Sequence, residues 1–383
     1  MDFNYVKLNQ LLTDKRVITV SPSLKLQSDD IKEEGNVAVV SQDQDFIVGY
    51  TELFDKKLNN PPFIVFGDHT EIFKYINFPF AQGADGIKIL KADDKTIDSQ
   101  FLYYALKNCY YPTGFYQRHF KLLKKTYVPD LSINHQKQIA KVLTNYDLLI
   151  ANNNKRIKLL ETMALSIYIE WFVRFRYPGY KNKKTSLQSA KGWTFGNREN
   201  GQEVPIGWSF DKLINIAEFK RGRNITAAEM IDGDIPVIAA GLSPSGYHNA
   251  SNVKGKSITV SASGANAGFL NYHLNEIWAA DCSYYQSDSN IWFVYNALKF
   301  LQPVITNMQV GSAQPHVYAK NLNRISTIIP PQETINLYVK TVKPFFEEIK
   351  FLSEKNNRLE QQRDMLLPRL MSNKVSVERK EIV

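Results

Sequence analysis

Two stretches of this chain repeat one another in the same order, and that duplication constrains the fold more than any other feature. Asn36-Val-Ala-Val-Val40, then Gly49-Tyr50, resembles Asp234-Ile-Pro-Val-Ile238, then Gly246-Tyr247. Phe101-Leu-Tyr-Tyr-Ala-Leu-Lys107 matches Phe293-Val-Tyr-Asn-Ala-Leu-Lys299, and Gly114-Phe-Tyr-Gln117-Arg-His119 matches Gly311-Ser-Ala-Gln314-Pro-His316. A helical pattern begins at Ile139 and begins again at Ile335. The offsets run from 192 (Phe101 to Phe293) to 198 (Asn36 to Asp234). A period of half the chain is far longer than the 20–50 residues of a solenoid. The chain is therefore a duplicated unit, each copy a globular part followed by a long helix.

The globular parts predict a mixture of strand and helix. Val37–Val40, Phe63–Phe66 and Ile87–Leu90 are apolar or β-branched runs bounded by turn residues, the pattern of strands. Residues 98–108 predict a helix capped by Asp98 or Ser99. In the second copy, Val237–Ala240, Ser257–Val260 and Ile277–Ala279 predict strands, and 290–308 mostly helix. Gly and Ser gather in loops at 241–246 and 261–268. The class expected is α/β (α+β).

The helices give the clearest local signal. Ile335, Tyr338, Val342, Phe345, Ile349, Leu352, Asn356, Leu359, Leu366 and Leu370 follow a spacing of three and four, a coiled-coil seam weakened at Arg363. Its central counterpart runs Ile139, Val142, Tyr146, Leu149, Asn153, Leu160, Met163 and Ile167. Ordinary core packing explains a single stripe. Two stripes at equivalent places in a repeat favour packing on each other, because each seam needs a partner. The chain returns through a globular part before the second helix starts, so an antiparallel pair is expected. Pro344 predicts a kink or a later start of the second helix.

Composition narrows the class. Hydrophobic residues at 44% support a large core and exclude wholesale disorder. Two cysteines, Cys109 and Cys282, exclude a disulfide framework and a Cys-rich zinc module and fit a reducing compartment. No apolar run approaches membrane-spanning length, and the N-terminus lacks a signal-peptide pattern, so a cytoplasmic protein is expected. Lys and Arg number 47 against 38 Asp and Glu, a net charge of +9 that permits a polyanionic partner. Residues 151–191 hold Lys155, Arg156, Lys158, Arg174, Arg176, Lys181, Lys183, Lys184 and Lys191 against Glu161 and Glu170. A solvated linker and a phosphate-contacting stretch both account for that run.

Catalytic motifs are scarce. Asn60-Pro61-Pro62-Phe63 matches the Asn-Pro-Pro-aromatic motif of DNA amino-methyltransferases, in which the aromatic ring stacks on a flipped base. Its context argues against that use: it opens an apolar run rather than ending a strand, and no Gly-rich turn with a later acid stands ready for S-adenosylmethionine. Gly264-Ala-Asn-Ala-Gly268 echoes a phosphate loop, lacks its Lys-Ser/Thr, and predicts a tight turn between strands. No metal-ligand spacing links the six histidines. The recurring Gly-X-X-Gln-X-His is the better candidate, since Gln, His and the neighbouring Arg118 have the chemistry to reach base edges or phosphates. Lys220-Arg221-Gly222-Arg223-Asn224 adds a short basic run with a glycine for close approach. The candidate DNA-binding residues are Arg118, His119, Lys121, Lys124, Lys220, Arg221, Arg223, Asn224, Asn266, Gln314, His316 and Lys320, with no catalytic residue and no metal site.

Two dissimilar globular units, each followed by a long helix, resemble the specificity subunit of a Type I restriction-modification system. The resemblance is sharpest in His135-Gln-Lys-Gln-Ile139 through Asn152-Asn-Asn154, Trp171-Phe-Val173, Pro330-Pro331-Gln332-Glu333 and Gln362-Arg-Asp-Met-Leu-Leu-Pro368. It extends to Val204-Pro-Ile-Gly-Trp208, Lys220-Arg-Gly222 and Gly246-Tyr-His248. It implies a target-recognition domain at 1–132, a helix at 133–178, a linker at 179–197, a second such domain at 198–330, a helix at 331–373 and a tail. Each domain would read one half of an asymmetric bipartite site in double-stranded DNA. The helices would set the spacer and dock two modification subunits, with motor-nuclease subunits joining them. Those partners would carry S-adenosylmethionine and the catalysis, and this chain would bind no cofactor. A DNA amino-methyltransferase and a protein-interaction scaffold without DNA are the alternatives.

Overall fold

The backbone of each globular part is organised around one strand buried on both faces. The computed structural model describes residues 4–21, 26–83, 86–110, 118–182, 184–188, 202–309 and 315–375. By internal contacts the chain divides into two units, residues 1–152 with 355–383, and residues 153–354.

The first unit runs β1 (Tyr5–Lys7), α1 (Leu8–Thr13), β2 (Val17–Val20), β3 (Val37–Val40), β4 (Gly49–Thr51), β5 (Lys57–Leu58), β6 (Phe63–Gly67), β7 (Phe73–Ile76), β8 (Phe80–Gln82) and β9 (Ile87–Ala92). Then come α2 (Ser99–Cys109), α3 (Phe120–Leu123), β10 (Tyr127–Pro129) and the long helix α4 (Ile133–Tyr168). All five residues of β6 are buried, and β6 lies inside the sheet β2-β9-β6-β7. A second sheet, β4-β3-β8-β5, contains one parallel pair, β3 with β8. β1 and β10 pair antiparallel. As expected, Asp98 caps α2, its carboxylate accepting from the Phe101 N–H at 2.8 Å. The cap satisfies one of the amides that a helix start leaves without an internal partner.

The second unit repeats this plan with different side chains. It holds β11 (Thr185–Gln188), β12 (Gln202–Pro205), β13 (Ser209–Lys212), β14 (Lys220–Arg221), β15 (Ile235–Ile238), β16 (Gly246–His248), β17 (Ser257–Ser261), β18 (Leu270–His273), β19 (Trp278–Ala279) and β20 (Cys282–Gln286). α5 (Ile291–Phe300), α6 (Gln302–Asn307), α7 (Ala319–Leu322), β21 (Ser326–Ile329) and α8 (Gln332–Met371) follow. The sheet β14-β20-β17-β18 has the order of β2-β9-β6-β7, and β16-β15-β19 that of β4-β3-β8, parallel pair included. β13 pairs with β21 as β1 does with β10. The duplication expected from the sequence is thus a duplication of topology, to which the first unit adds the edge strand β5 and the second the β11–β12 pair among the described residues. Two strands sit slightly off their expected positions: β15 ends at Ile238 rather than Ala240, and Ile277 joins only through a bridge to Val253.

Both units contain an antiparallel pair formed by parts of α4 and α8. In the first, Ile139 and Leu143 share a core with Leu367, Leu370 and Met371, and Arg363 Nη1 lies 2.6 Å from Asp147 Oδ1. In the second, Arg156 meets Glu348 at 2.7 Å, and the Tyr338 hydroxyl donates to the Ala164 carbonyl at 2.9 Å. There the helix surfaces and the globular part form one core through Tyr168, Phe172, Phe293 and Tyr338, with Phe172 and Phe293 edge to face at 4.9 Å. Each aromatic side chain so buried contributes about 1.5–3 kcal/mol from area alone.

The α8 stripe holds, with Phe346 rather than Phe345 as its fully buried member; Leu359 and Leu366 are half-buried. The α4 stripe is out of phase. Leu149 and Met163 are 47% and 42% exposed, whereas Leu143, Ile150 and Ala164 are buried. Val142, Tyr146 and Leu160 are half-buried, and Ile139 and Asn153 are buried. The expected and actual stripes share Ile139, Tyr146, Asn153 and Leu160, seven apart. They differ in whether the intervening seam residue follows by three or by four, a choice that Leu148-Leu149-Ile150 leaves undecided. α8 also runs unbroken from Gln332 through Pro344. Pro344 is exposed, so the carbonyl it fails to bond can meet water, and the helix needs no later start. The central helix stops short of 178: α4 passes into a wide turn at Ile169–Val173, and Phe175 takes a left-handed φ of 57°.

Candidate nucleic-acid interface

In the second unit the sheet, the turn after β17 and the segment before α7 enclose a cleft of about 700 Å³. Arg221, Asn224, His316 and Lys320, four of the residues expected to touch DNA, line it together. Backbone contacts bring them there from far apart in sequence. Arg221 pairs with Ser283 across β14 and β20. Ser263 and His316 form an antiparallel bridge, and the Val317 N–H donates to the Ala262 carbonyl at 3.0 Å. Gly222 lets this sheet edge close: a Cβ there would sit 2.2 Å from the Ala280 carbonyl oxygen.

One wall is aromatic and cationic. The rings of His316 and Tyr318 are parallel within 3° with centroids 5.5 Å apart, and the Lys320 ammonium lies 5.6 Å from the Tyr318 centroid. Stacking on Tyr318 occupies one imidazole face and leaves the ring edge as a hydrogen-bonding surface. The opposite wall carries Asp281, whose carboxylate accepts from the Ser263 hydroxyl. Arg221 and Lys320 supply positive charge, while Asp281, Ser283 and Asn224 supply groups with direction. That mixture suits a polyanion bearing hydrogen-bonding edges better than a purely apolar ligand. Tyr318, Asp281, Ser263 and Ser283 escaped the sequence reading. The Tyr two residues beyond His316 was the available signal; Ser283 on β20 and Asp281 just before it became visible only once β17 and β20 were paired.

Other expected residues lie elsewhere. Arg223 is exposed beside the cleft, 5.9 Å from the Trp278 ring, whose Nε1 donates to the Arg223 carbonyl. Lys220 is exposed on β14. Asn266 sits inside the Gly264–Gly268 turn, where its carbonyl accepts from the Phe269 N–H at 2.9 Å; this is the tight turn expected, with Gly264 and Gly268 at φ of 73° and 85°. Gln117 and Gln314, with Gly114 and Gly311, fall outside the described residues, as do Lys183 and Lys191. In the first unit Arg118 and Lys121 are exposed, and the Lys124 ammonium lies 5.5 Å from the Phe120 ring.

His119 is a correction. It is 1% exposed, with Nδ1 2.7 Å from Glu71 Oε1, and it belongs to the interior rather than to a reading surface. The polar pair is retained because the Tyr110 hydroxyl also donates to Glu71. Phe63 is likewise interior, 2% exposed and edge-on to Phe80 at 5.7 Å, so its ring has no face free for a flipped base. The basic stretch is partly neutralised: Arg156 pairs with Glu348, and Arg174 and Arg176 both pair with Glu170. Glu161 accepts from the Tyr272 hydroxyl at 2.8 Å. Among the described residues, no helix is long and apolar enough to cross a membrane.

A protein-family model described as the Type I restriction modification DNA specificity domain matches residues 205–361. The chain is 27% identical over 281 residues to the MjaIX Type I restriction enzyme specificity subunit of Methanocaldococcus jannaschii, covering 67% of this chain and 62% of that one. It is 28% identical over 204 residues to the HindI specificity subunit of Haemophilus influenzae, covering 45% of this chain and 42% of that one. The chain thus spans less than two thirds of these curated relatives. The crystal structure of a Type I restriction-modification S subunit from M. genitalium matches over 96% of both chains with a TM-score of 0.52; at 19% identity the likeness is one of fold. Residues 205–361 thus match the Type I restriction modification DNA specificity domain, and the chain is similar in sequence to specificity subunits of Type I restriction enzymes and in fold to a solved S subunit.

Proposed function

We propose that this chain reads a bipartite, asymmetric sequence in double-stranded DNA, one half-site for each globular part, and hands that site to modification subunits that carry the methyl donor. The observation that carries this reading is one topology built twice with different side chains. A repeated scaffold supplies two equivalent placements, and unequal surfaces at those placements make the two half-sites unequal. In the second part the cleft of Arg221, Asn224, His316 and Lys320 is the DNA-facing surface. In the first, Arg118, Lys121 and Lys124 take that role. The exposed faces of α4 and α8 are where modification subunits dock. Methyl transfer and any cleavage belong to those partners; the burial of Phe63 supports this division, because it denies this chain the aromatic stack of an amino-methyltransferase.

The test is reconstitution with modification subunits, S-adenosylmethionine and genomic DNA, followed by mapping of methylated bases. The expected product is one two-part motif, present with this chain and absent without it. Methylation by the chain alone, or an identical motif whichever specificity chain is supplied, would refute the reading.

A further inference from the structure

Aligned by sequence, the two copies match His119 with His316. Aligned by backbone bonds, they do not. The His119 N–H donates to the Asp68 carbonyl at 3.0 Å, and the Val317 N–H donates to the Ala262 carbonyl at 3.0 Å. Asp68 and Ala262 are the first residues after β6 and β17, the matching central strands. His119 therefore corresponds to Val317, and both are buried, at 1% and 0%. The residue before each is then Arg118 in one copy and His316 in the other. The residue after each is aromatic, Phe120 or Tyr318, and a lysine ammonium lies against each ring: Lys88 at 5.9 Å and Lys124 at 5.5 Å from Phe120, Lys320 at 5.6 Å from Tyr318. Each copy thus places a solvent-facing polar residue, a buried anchor and a cation-bearing aromatic in succession at the same point of the fold.

Resting on the DNA-reading function proposed above, we infer that Arg118 and His316 are corresponding specificity-determining residues, each fixing one base of its half-site, with guanine the base read by Arg118. The anchors are backbone-bonded and interior, so they supply position. The flanking cations meet phosphates, which carry no sequence information. The residue preceding each anchor differs between the copies and is available to face a base. Arginine presents a fork that matches guanine O6 and N7 together. His316, stacked on Tyr318, offers one ring edge and makes one hydrogen bond to a purine acceptor, so its preference is the weaker of the two.

The experiment is selection from a randomised duplex library by the full chain assembled with modification subunits, comparing wild type with Arg118→Lys, Arg118→Ala, His316→Ala and His316→Arg. Arg118→Lys keeps the charge and loses the fork. It should lower the preference for guanine at one position of one half-site by about tenfold, the scale of a lost bidentate contact, and leave the other half-site untouched. His316→Ala should relax one position in the opposite half-site by less, and His316→Arg should install guanine there. Thermal midpoints confirm that these exposed or half-exposed sites do not unfold the chain. An unchanged motif with Arg118→Lys, together with uniformly weaker binding with Arg118→Ala, assigns Arg118 to a phosphate and overturns the inference. So does a His316→Arg chain without a new guanine preference. If wild type enriches no two-part sequence, the proposed function falls, and this inference with it. A wild-type motif indifferent to all four substitutions sinks the inference alone.

Discussion

At the scale of single residues, several roles are decided by burial rather than by residue type. His119, Arg118 and His316 have similar reach, yet only His119 is enclosed. Its removal by His119→Leu leaves the largely buried Glu71 short of a partner and should destabilise the first unit by about 2–4 kcal/mol. Chemical denaturation is the check, and a recognised sequence altered without loss of stability would contradict the placement. Gly222→Ala drives a methyl into the Ala280 carbonyl. A cost of about 1–3 kcal/mol and weaker DNA binding are expected, since Arg221 must move with the strand; an unchanged melting temperature would count against that packing. His273 donates to or accepts from the Thr259 hydroxyl at 2.8 Å, and burial pushes its imidazole down to about 4. The unfolded chain binds this proton more readily than the folded one, so stability should fall as pH drops from about 6.5 toward 4. His273→Gln should flatten that part of the pH profile, measured by thermal melts.

At the scale of elements, the two long helices separate what pattern fixes from what packing fixes. A seven-residue repeat of Ile139, Tyr146, Asn153 and Leu160 specifies a helix and a face. Apolar residues stand on both sides of that line, so the repeat does not specify which flank turns inward. The globular part and α8 settle it by covering Leu143, Ile150 and Ala164. Leu143→Ala should therefore cost about 2–5 kcal/mol, whereas Leu149→Ala should stay within about 0.5 kcal/mol. Equal costs would return the seam to the phase read from sequence. The seam break at Arg363 has a tertiary cause as well. Its guanidinium bonds Asp147, and the Asp147 carboxylate also accepts from the Tyr104 hydroxyl, tying α2 to the helices of the same unit. Pro344 teaches the converse: a helix breaker on an exposed face costs one bond and interrupts nothing else.

At the scale of the whole molecule, duplication is the organising fact, and it makes the functional reading modular. Exchanging residues 1–130 for those of a relative should change one half-site and spare the other. Removing one heptad from both α4 and α8 preserves their antiparallel pairing, and each heptad advances about 10 Å at 1.5 Å per residue. The spacer should change by about three base pairs, at 3.4 Å per pair, while both half-sites persist; methylome mapping reads both outcomes, and half-sites that shift together with the spacer would end the modular account. DNA affinity should also fall linearly in log–log terms with salt if several of the exposed Lys and Arg neutralise phosphates. The sequence by itself determined the repeat, the mixed fold class, the two helices and four members of the cleft, because each leaves a local mark: a recurring string, an apolar period, a basic run beside a glycine. The phase of α4, the interior place of His119 and Phe63, the part taken by Asp281 and Ser283, and the correspondence of Arg118 with His316 were decided only by tertiary structure. Those properties depend on which backbone carbonyl an amide finds and which face another element covers, and such partners lie tens to hundreds of residues away.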